Sequence, residues 1–192
     1  MIQVKKEGII LQKTDNGFEN EGVLNPAVIR VGEIVYMFYR AVSKGNYSSI
    51  GLCKFKGPLN ELERLDTPVI FPQFDYESRG TEDPRIVEID GIYYLSYTAY
   101  DGYNAMGALA TSTDLDHFEK QGIIAPQITY EEFSHLAGSK GTLNEKYLRY
   151  NDHKNIQEVS GKKIYMWDKN VIFFPRKIHG KFFFFHCVSS DI

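Results

Sequence analysis

Three stretches of this chain are written to one plan, and that plan restricts the fold more than any other feature. Asn25–Ala41 (NPAVIRVGEIVYMFYRA), Asp83–Ala99 (DPRIVEIDGIYYLSYTA) and Asn170–Val188 (NVIFFPRKIHGKFFFFHCV) each open on a polar residue. Each then runs an apolar strand to a turn, at Gly32, Asp90-Gly91 or His179-Gly180, and returns on an aromatic strand. A glycine turn between two β-rich runs is a hairpin signal. The first two copies start 58 residues apart, at 25 and 83. Each of these is followed by a small-residue strand, Ser48–Phe55 and Met106–Ser112, and by a segment closing on proline, Thr67–Pro72 and Gln121–Pro126. Units of four short strands at this period are the signature of propeller blades, and the third unit stops after two strands.

The expected fold is therefore all-β: a single partial β-propeller domain over residues 1–192, holding two and a half blades. That is too few to close a ring. A different text separates the second and third units, TYEEFSHLAGSKGTLNEKYLRY from Thr129 to Tyr150. Thr129 with Glu132 three residues on fits a capping box, which predicts a short helical insertion at about 129–150.

Composition narrows the function classes. The 13 Tyr and 13 Phe suit a β-core and also surfaces on which sugar rings stack. A net charge of −3 without a basic block argues against nucleic acid. No apolar run approaches the ~18 residues of a membrane span, and the first residues lack a signal-peptide pattern, so the expectation is a cytoplasmic protein with no membrane partner. Cys53 and Cys187 form neither a disulfide framework nor a metal-ligand spacing, which predicts a chain without metal or cofactor.

Polar residues recur at related blade positions. Asn25, Asp83 and Asn170 start the first strand of each hairpin, and Arg40, Asp101 and His186 are read as following the second. Innermost strands of a propeller line its channel. Asn25, Arg40, Asp83, Asp101, Lys169 and His186 are accordingly expected to converge on one mouth, although Asn and Asp before strands are also ordinary turn residues.

The motifs GTEDPRI, YTAYDG, ALATSTDL and WDKNVIFFPRKIHGKFFFFH, in this order, resemble glycoside hydrolase family 130. The resemblance covers roughly Asn25 to Ile192 and implies a five-bladed propeller. It further implies an inverting β-1,4-mannoside phosphorylase or β-mannosidase acting on mannosyl-oligosaccharides, with inorganic phosphate as co-substrate of a phosphorylase. Asp83, in the EDPR motif, takes the place of the general acid, passing its proton through a sugar hydroxyl. Asn25, Arg40 and Asp101 take substrate-binding places, and Lys169 and His186 phosphate-binding ones. Glu82 and Arg85 are expected to brace the Asp83 loop as an ion pair.

Two departures from the family pattern matter. The third hairpin reads His186-Cys187 where the family has His-Arg, and the family continues for roughly two more blades beyond VSSDI. A second reading therefore stands beside the enzyme: a truncated, catalytically silent sugar-binding or assembly module. The Phe-rich edge of the unfinished blade predicts a homo-oligomer formed through the C-terminal edge.

Overall fold

The structure, a computed structural model, describes residues 3, 6–57, 59–138 and 161–189. Ten strands follow one another as β1 (Gly22–Val31), β2 (Ile34–Ser43), β3 (Tyr47–Lys56), β4 (Asn60–Arg64), β5 (Gly80–Ile89), β6 (Ile92–Tyr100), β7 (Ala105–Ser112), β8 (Glu119–Ile123), β9 (Trp167–Phe173) and β10 (Phe184–Ser189). They group into antiparallel meanders of four, four and two strands, β1–β4, β5–β8 and β9–β10. Among the described residues, one parallel strand bridge links each meander to the next, Ser48 to Gly80 and Met106 to Asp168. Within each unit the first strand faces the first strand of its neighbour, β1 against β5 and β5 against β9. This is an arc of two and a half propeller blades.

The turns follow their sequence. Asp90 and Gly91 sit at φ 55° and 81°, and His179 and Gly180 at 50° and 74°, the left-handed backbone that tight hairpin turns require. The third strand of each complete blade carries a glycine where a neighbour comes close; a Cβ on Gly51 of β3 would stand 2.4 Å from the Tyr39 ring. A Cβ on Gly107 of β7 would stand 2.4 Å from the Val171 side chain of β9, so glycine sets how closely the second and third blades approach. The main core lies between the first two blades, where Phe38, Ile50, Leu52 and Ile70 meet Leu95, Tyr97, Ala108 and Leu115.

Two strand expectations are corrected. Thr67–Pro72 is not the fourth strand of the first blade; the polar run Asn60–Arg64 pairs with β3 instead. Val69 and Ile70 add only a short bridge to Ile50 farther along the same edge. An outermost strand faces water on one edge and needs no apolar alternation, so its sequence carries little signal. In the third hairpin the return strand starts at Phe184 rather than near Gly180. Pairing breaks just after the Phe174 N–H donates to the Phe183 carbonyl at 2.9 Å, because Pro175 has no N–H to continue the ladder.

The insertion opens as a helix, α1 (Tyr130–Gly138). Its capping box is complete: Glu132 accepts from the Thr129 amide at 2.8 Å, and the Glu132 amide donates to Thr129 Oγ1 at 3.2 Å. The rest of the expected insertion, 139–150, lies outside the described residues.

Candidate active site

The site grows out of one repeated irregularity. The β1–β2 register slips between Leu24 and Ala27, the β5–β6 register between Glu82 and Arg85, and the β9–β10 register between Phe185 and Cys187. At each slip the first strand carries an extra residue, a β-bulge, which re-aims a side chain. The bulged residues are Asn25, Asp83 and Asn170, at φ 48°, 49° and 59°. Asn and Asp are the non-glycine residues that best tolerate this backbone. In the first two bulges a proline follows, Pro26 and Pro84, where no ladder N–H is needed.

Two of these bulges meet. Asn25 Nδ2 donates to Asp83 Oδ1 at 2.6 Å, across the gap between the first strands of neighbouring blades. Arg40 of β2 enters from behind: its Nη2 donates to Glu82 Oε1 at 2.7 Å and its Nε to Ser48 Oγ at 2.9 Å, while Nη1 stands 3.7 Å from Asp83 Oδ1. These side chains are mostly enclosed, at 15 % exposure for Arg40, 13 % for Glu82 and 17 % for Asp83. Burial pushes the Glu82 carboxyl above its ordinary value; Arg40 pulls it down, Asp83 pushes it up, and Lys169 of β9 pulls it down. Lys169 thus adds its charge to the cluster from the third blade, with its Nζ 4.9 Å from the Trp167 ring centroid.

Three expectations change here. Glu82 pairs with Arg40, not with Arg85, whose guanidinium donates to the Pro84 carbonyl at 2.8 Å. Arg40, Asp101 and His186 are not equivalent positions. Register matches Arg40 with Thr98 and Cys187, as the partners of Leu24, Glu82 and Lys169. His186 matches Tyr39 and Tyr97, the residues facing each bulge. Asp101 lies beyond the end of β6, where its carboxylate accepts from the Tyr103 and Asn104 amides at 2.8 and 2.6 Å. It lines a separate cleft of roughly 530 Å³ with Arg79, Tyr103 and Lys162.

His186 is anchored by the third blade itself, with Nδ1 2.7 Å from an oxygen of the buried Asp168. With Nδ1–H held by Asp168, a doubly protonated ring presents Nε2–H as a donor. Cys187, beside it, is exposed. Neither Ser48 nor Asp168 is singled out by the sequence, although Asp168 lies within the WDKN motif. Ser48 enters the site through Arg40, and Asp168 through the His186 ring.

The family model described as beta-1,4-mannooligosaccharide phosphorylase matches residues 7–153, most of the chain. The chain belongs to glycoside hydrolase family 130. Within family 130 it is 35 % identical over 139 residues to a 1,2-beta-oligomannan phosphorylase of a Thermoanaerobacter species, a match covering 65 % of this chain and 46 % of that protein. A beta-1,2-mannobiose phosphorylase of the same organism is 27 % identical over 175 residues, covering 83 % and 56 %. The chain spans about half the length of the curated relatives it matches. Among solved structures, a putative glycoside hydrolase from Bacteroides ovatus superposes with a TM-score of 0.58 at 28 % identity, over 64 % of this chain and 42 % of that one. A Listeria innocua beta-1,2-mannobiose phosphorylase, at 17 % identity, shares the fold with a TM-score of 0.58 over 86 % and 51 %.

Proposed function

We propose that this chain supplies the acid side of an inverting β-mannoside phosphorylase. The observation that carries the reading is the meeting of two bulges, which holds Asp83 against Asn25 and Arg40 in a family 130 chain. In this reading Asn25 and Arg40 hold the mannosyl unit and Asp83 is the general acid. Its proton passes through a sugar hydroxyl to the departing glycosidic oxygen while the bond from that oxygen to the anomeric carbon breaks. A phosphate oxygen attacks the same carbon from the opposite face, so a β-mannoside yields an α-mannosyl phosphate. Lys169 and His186 are the proposed phosphate contacts, since a dianion is held best by charge-assisted hydrogen bonds. Asp101 is assigned to sugar hydroxyls reaching the separate cleft it lines with Arg79, Tyr103 and Lys162, beside its role of bracing its own turn. The co-substrate is inorganic phosphate; no metal or cofactor takes part. Among the described residues no helix is long and apolar enough to cross a membrane, and a cytoplasmic location is part of the proposal.

The family description names a β-1,4 linkage and the two curated relatives are named for β-1,2 linkages, so both mannobioses belong in the assay. Asp83→Asn should lower turnover by at least ~10²-fold, the scale of lost acid catalysis, while mannose binding changes far less. Near-full activity in that variant would remove Asp83 from the mechanism. The second reading, a silent sugar-binding or assembly module, is favoured by the apolar edge of the third blade, where Phe182, Phe183 and Phe185 are exposed. Mannose binding without turnover on either mannobiose, with phosphate present, would decide for it.

A further inference from the structure

The charges around Asp83 pose a problem for an acid. A general acid must hold its proton at working pH, and a cation within ~4–6 Å favours the ionised carboxylate, as does a hydrogen bond donated to it. Asp83 has both: Arg40 Nη1 at 3.7 Å and the donating Asn25 amide at 2.6 Å. Glu82 is placed to offset them. It is the residue just before Asp83, on the strand side of the same bulge, and accepts from Arg40 Nη2 at 2.7 Å. The guanidinium is therefore shared unequally, a close pair with Glu82 and a longer approach to Asp83.

We infer that Glu82 is a positioning residue that keeps the proton on Asp83, by engaging the Arg40 guanidinium and setting its own negative charge beside the acid. The inference rests on the reading of Asp83 as general acid. It accounts for a second, mostly enclosed carboxylate that the proposed chemistry does not otherwise use. The remaining described groups round the pair are Asn25 from β1, Ser48 from β3, Arg85 on β5, Tyr100 of β6, whose hydroxyl burial and then Glu82 push up, and Lys169 from β9. Of these Asn25 and Ser48 are neutral, Arg85 donates to the Asp83 and Pro84 carbonyls, and Lys169 acts on Glu82. Among the described residues, Glu82 is thus the carboxylate beside Asp83 that opposes the cations at this corner.

The test is a carboxyl-carbon NMR titration of the 192-residue chain labelled at its aspartates, with the Asp83 signal assigned by its loss in Asp83→Asn. Glu82→Gln keeps the shape and an acceptor for Arg40 but removes the charge. It should move the Asp83 titration midpoint to lower pH by about one unit, the scale of one unopposed neighbouring cation. Arg40→Gln should move it the opposite way, and the double variant should return it toward the starting value. An unchanged or raised midpoint in Glu82→Gln overturns the inference. Should that variant fail to fold, an unmoved midpoint in Arg40→Gln does the same. The titration needs no turnover, so it is separate from the fate of the acid reading, which Asp83→Asn kinetics decide. In active protein the alkaline limb of kcat/KM should fall to lower pH in Glu82→Gln by the same amount.

Discussion

At the scale of single residues, the site depends on backbone that few side chains accept. Asn25, Asp83 and Asn170 hold left-handed φ at three equivalent bulges. A β-branched residue there meets a steric penalty of roughly 1–2 kcal/mol, whereas glycine meets none. Asn170→Val should therefore lose about that much stability in urea unfolding and Asn170→Gly much less; equal stability of the two would mean the bulge relaxes in solution. These three positions were legible in the sequence, because the repeat carries a polar residue to the same place each time. The return strands were harder to read. The separation from Asn25 to Arg40, carried to Asp83, points to Thr98 instead of Asp101. In the third hairpin the longer tip shifts the count again, so that Cys187, not His186, stands where Arg40 stands. That register sharpens a prediction at Cys187, the cross-strand partner of Lys169. If Lys169 borders a phosphate site, Cys187→Arg should tighten phosphate binding by about 1.5–3 kcal/mol, the range of a hydrogen bond with a charged partner. Unchanged affinity by calorimetry would place phosphate elsewhere.

Among the elements, the first two blades share a buried brace for which the sequence gives only a faint sign. Tyr39, facing the first bulge, donates to Glu19 at 2.8 Å, and Glu19 pairs with Arg64 of β4 at 2.8 Å. Tyr97, facing the second, donates to Glu77 at 3.0 Å, and Glu77 pairs with Lys120 of β8. In each complete blade the brace ties the segment before the first strand to the second and fourth strands. Glu77 also accepts from the Gln73 amide at 2.9 Å, and Lys120 lies over the Phe71, Phe74 and Tyr97 rings. Burial pushes the Tyr97 hydroxyl well above its ordinary value, with Glu77 adding to it, so the ring stays neutral and donates. Glu77→Ala leaves Lys120 as an unpaired buried charge and should cost about 3–5 kcal/mol of stability. A loss below ~1 kcal/mol would mean that the brace is wet in solution. The sequence hides it because Glu19 and Glu77 lie in irregular segments before the hairpins, where acids read as surface. Their 58-residue spacing, shared with Tyr39 and Tyr97, is the one trace of it.

For the whole molecule, the count of two and a half blades was legible in the hairpin repeat, while the covering of the arc's ends was not. Ile9, Ile10, Val28 and Val31 are exposed at the first blade and Ile172, Phe182, Phe183 and Phe185 at the third. β10 also ends the order of paired strands, with its outer edge unpaired among the described residues. An apolar strand edge of this kind pairs readily with another chain. Light scattering at micromolar concentration should accordingly give an oligomer, most simply a symmetric dimer of the 22.1 kDa chain; a well-behaved monomer would contradict it. Whether the Asn25–Asp83–Arg40 cluster serves the proposed mannoside phosphorylase is decided by phosphorus NMR of the chain with mannobiose and inorganic phosphate. α-Mannose 1-phosphate is expected from the unsubstituted chain, and its loss in Asp83→Asn. Free mannose released at one rate with and without phosphate, and no phosphate ester, would contradict it.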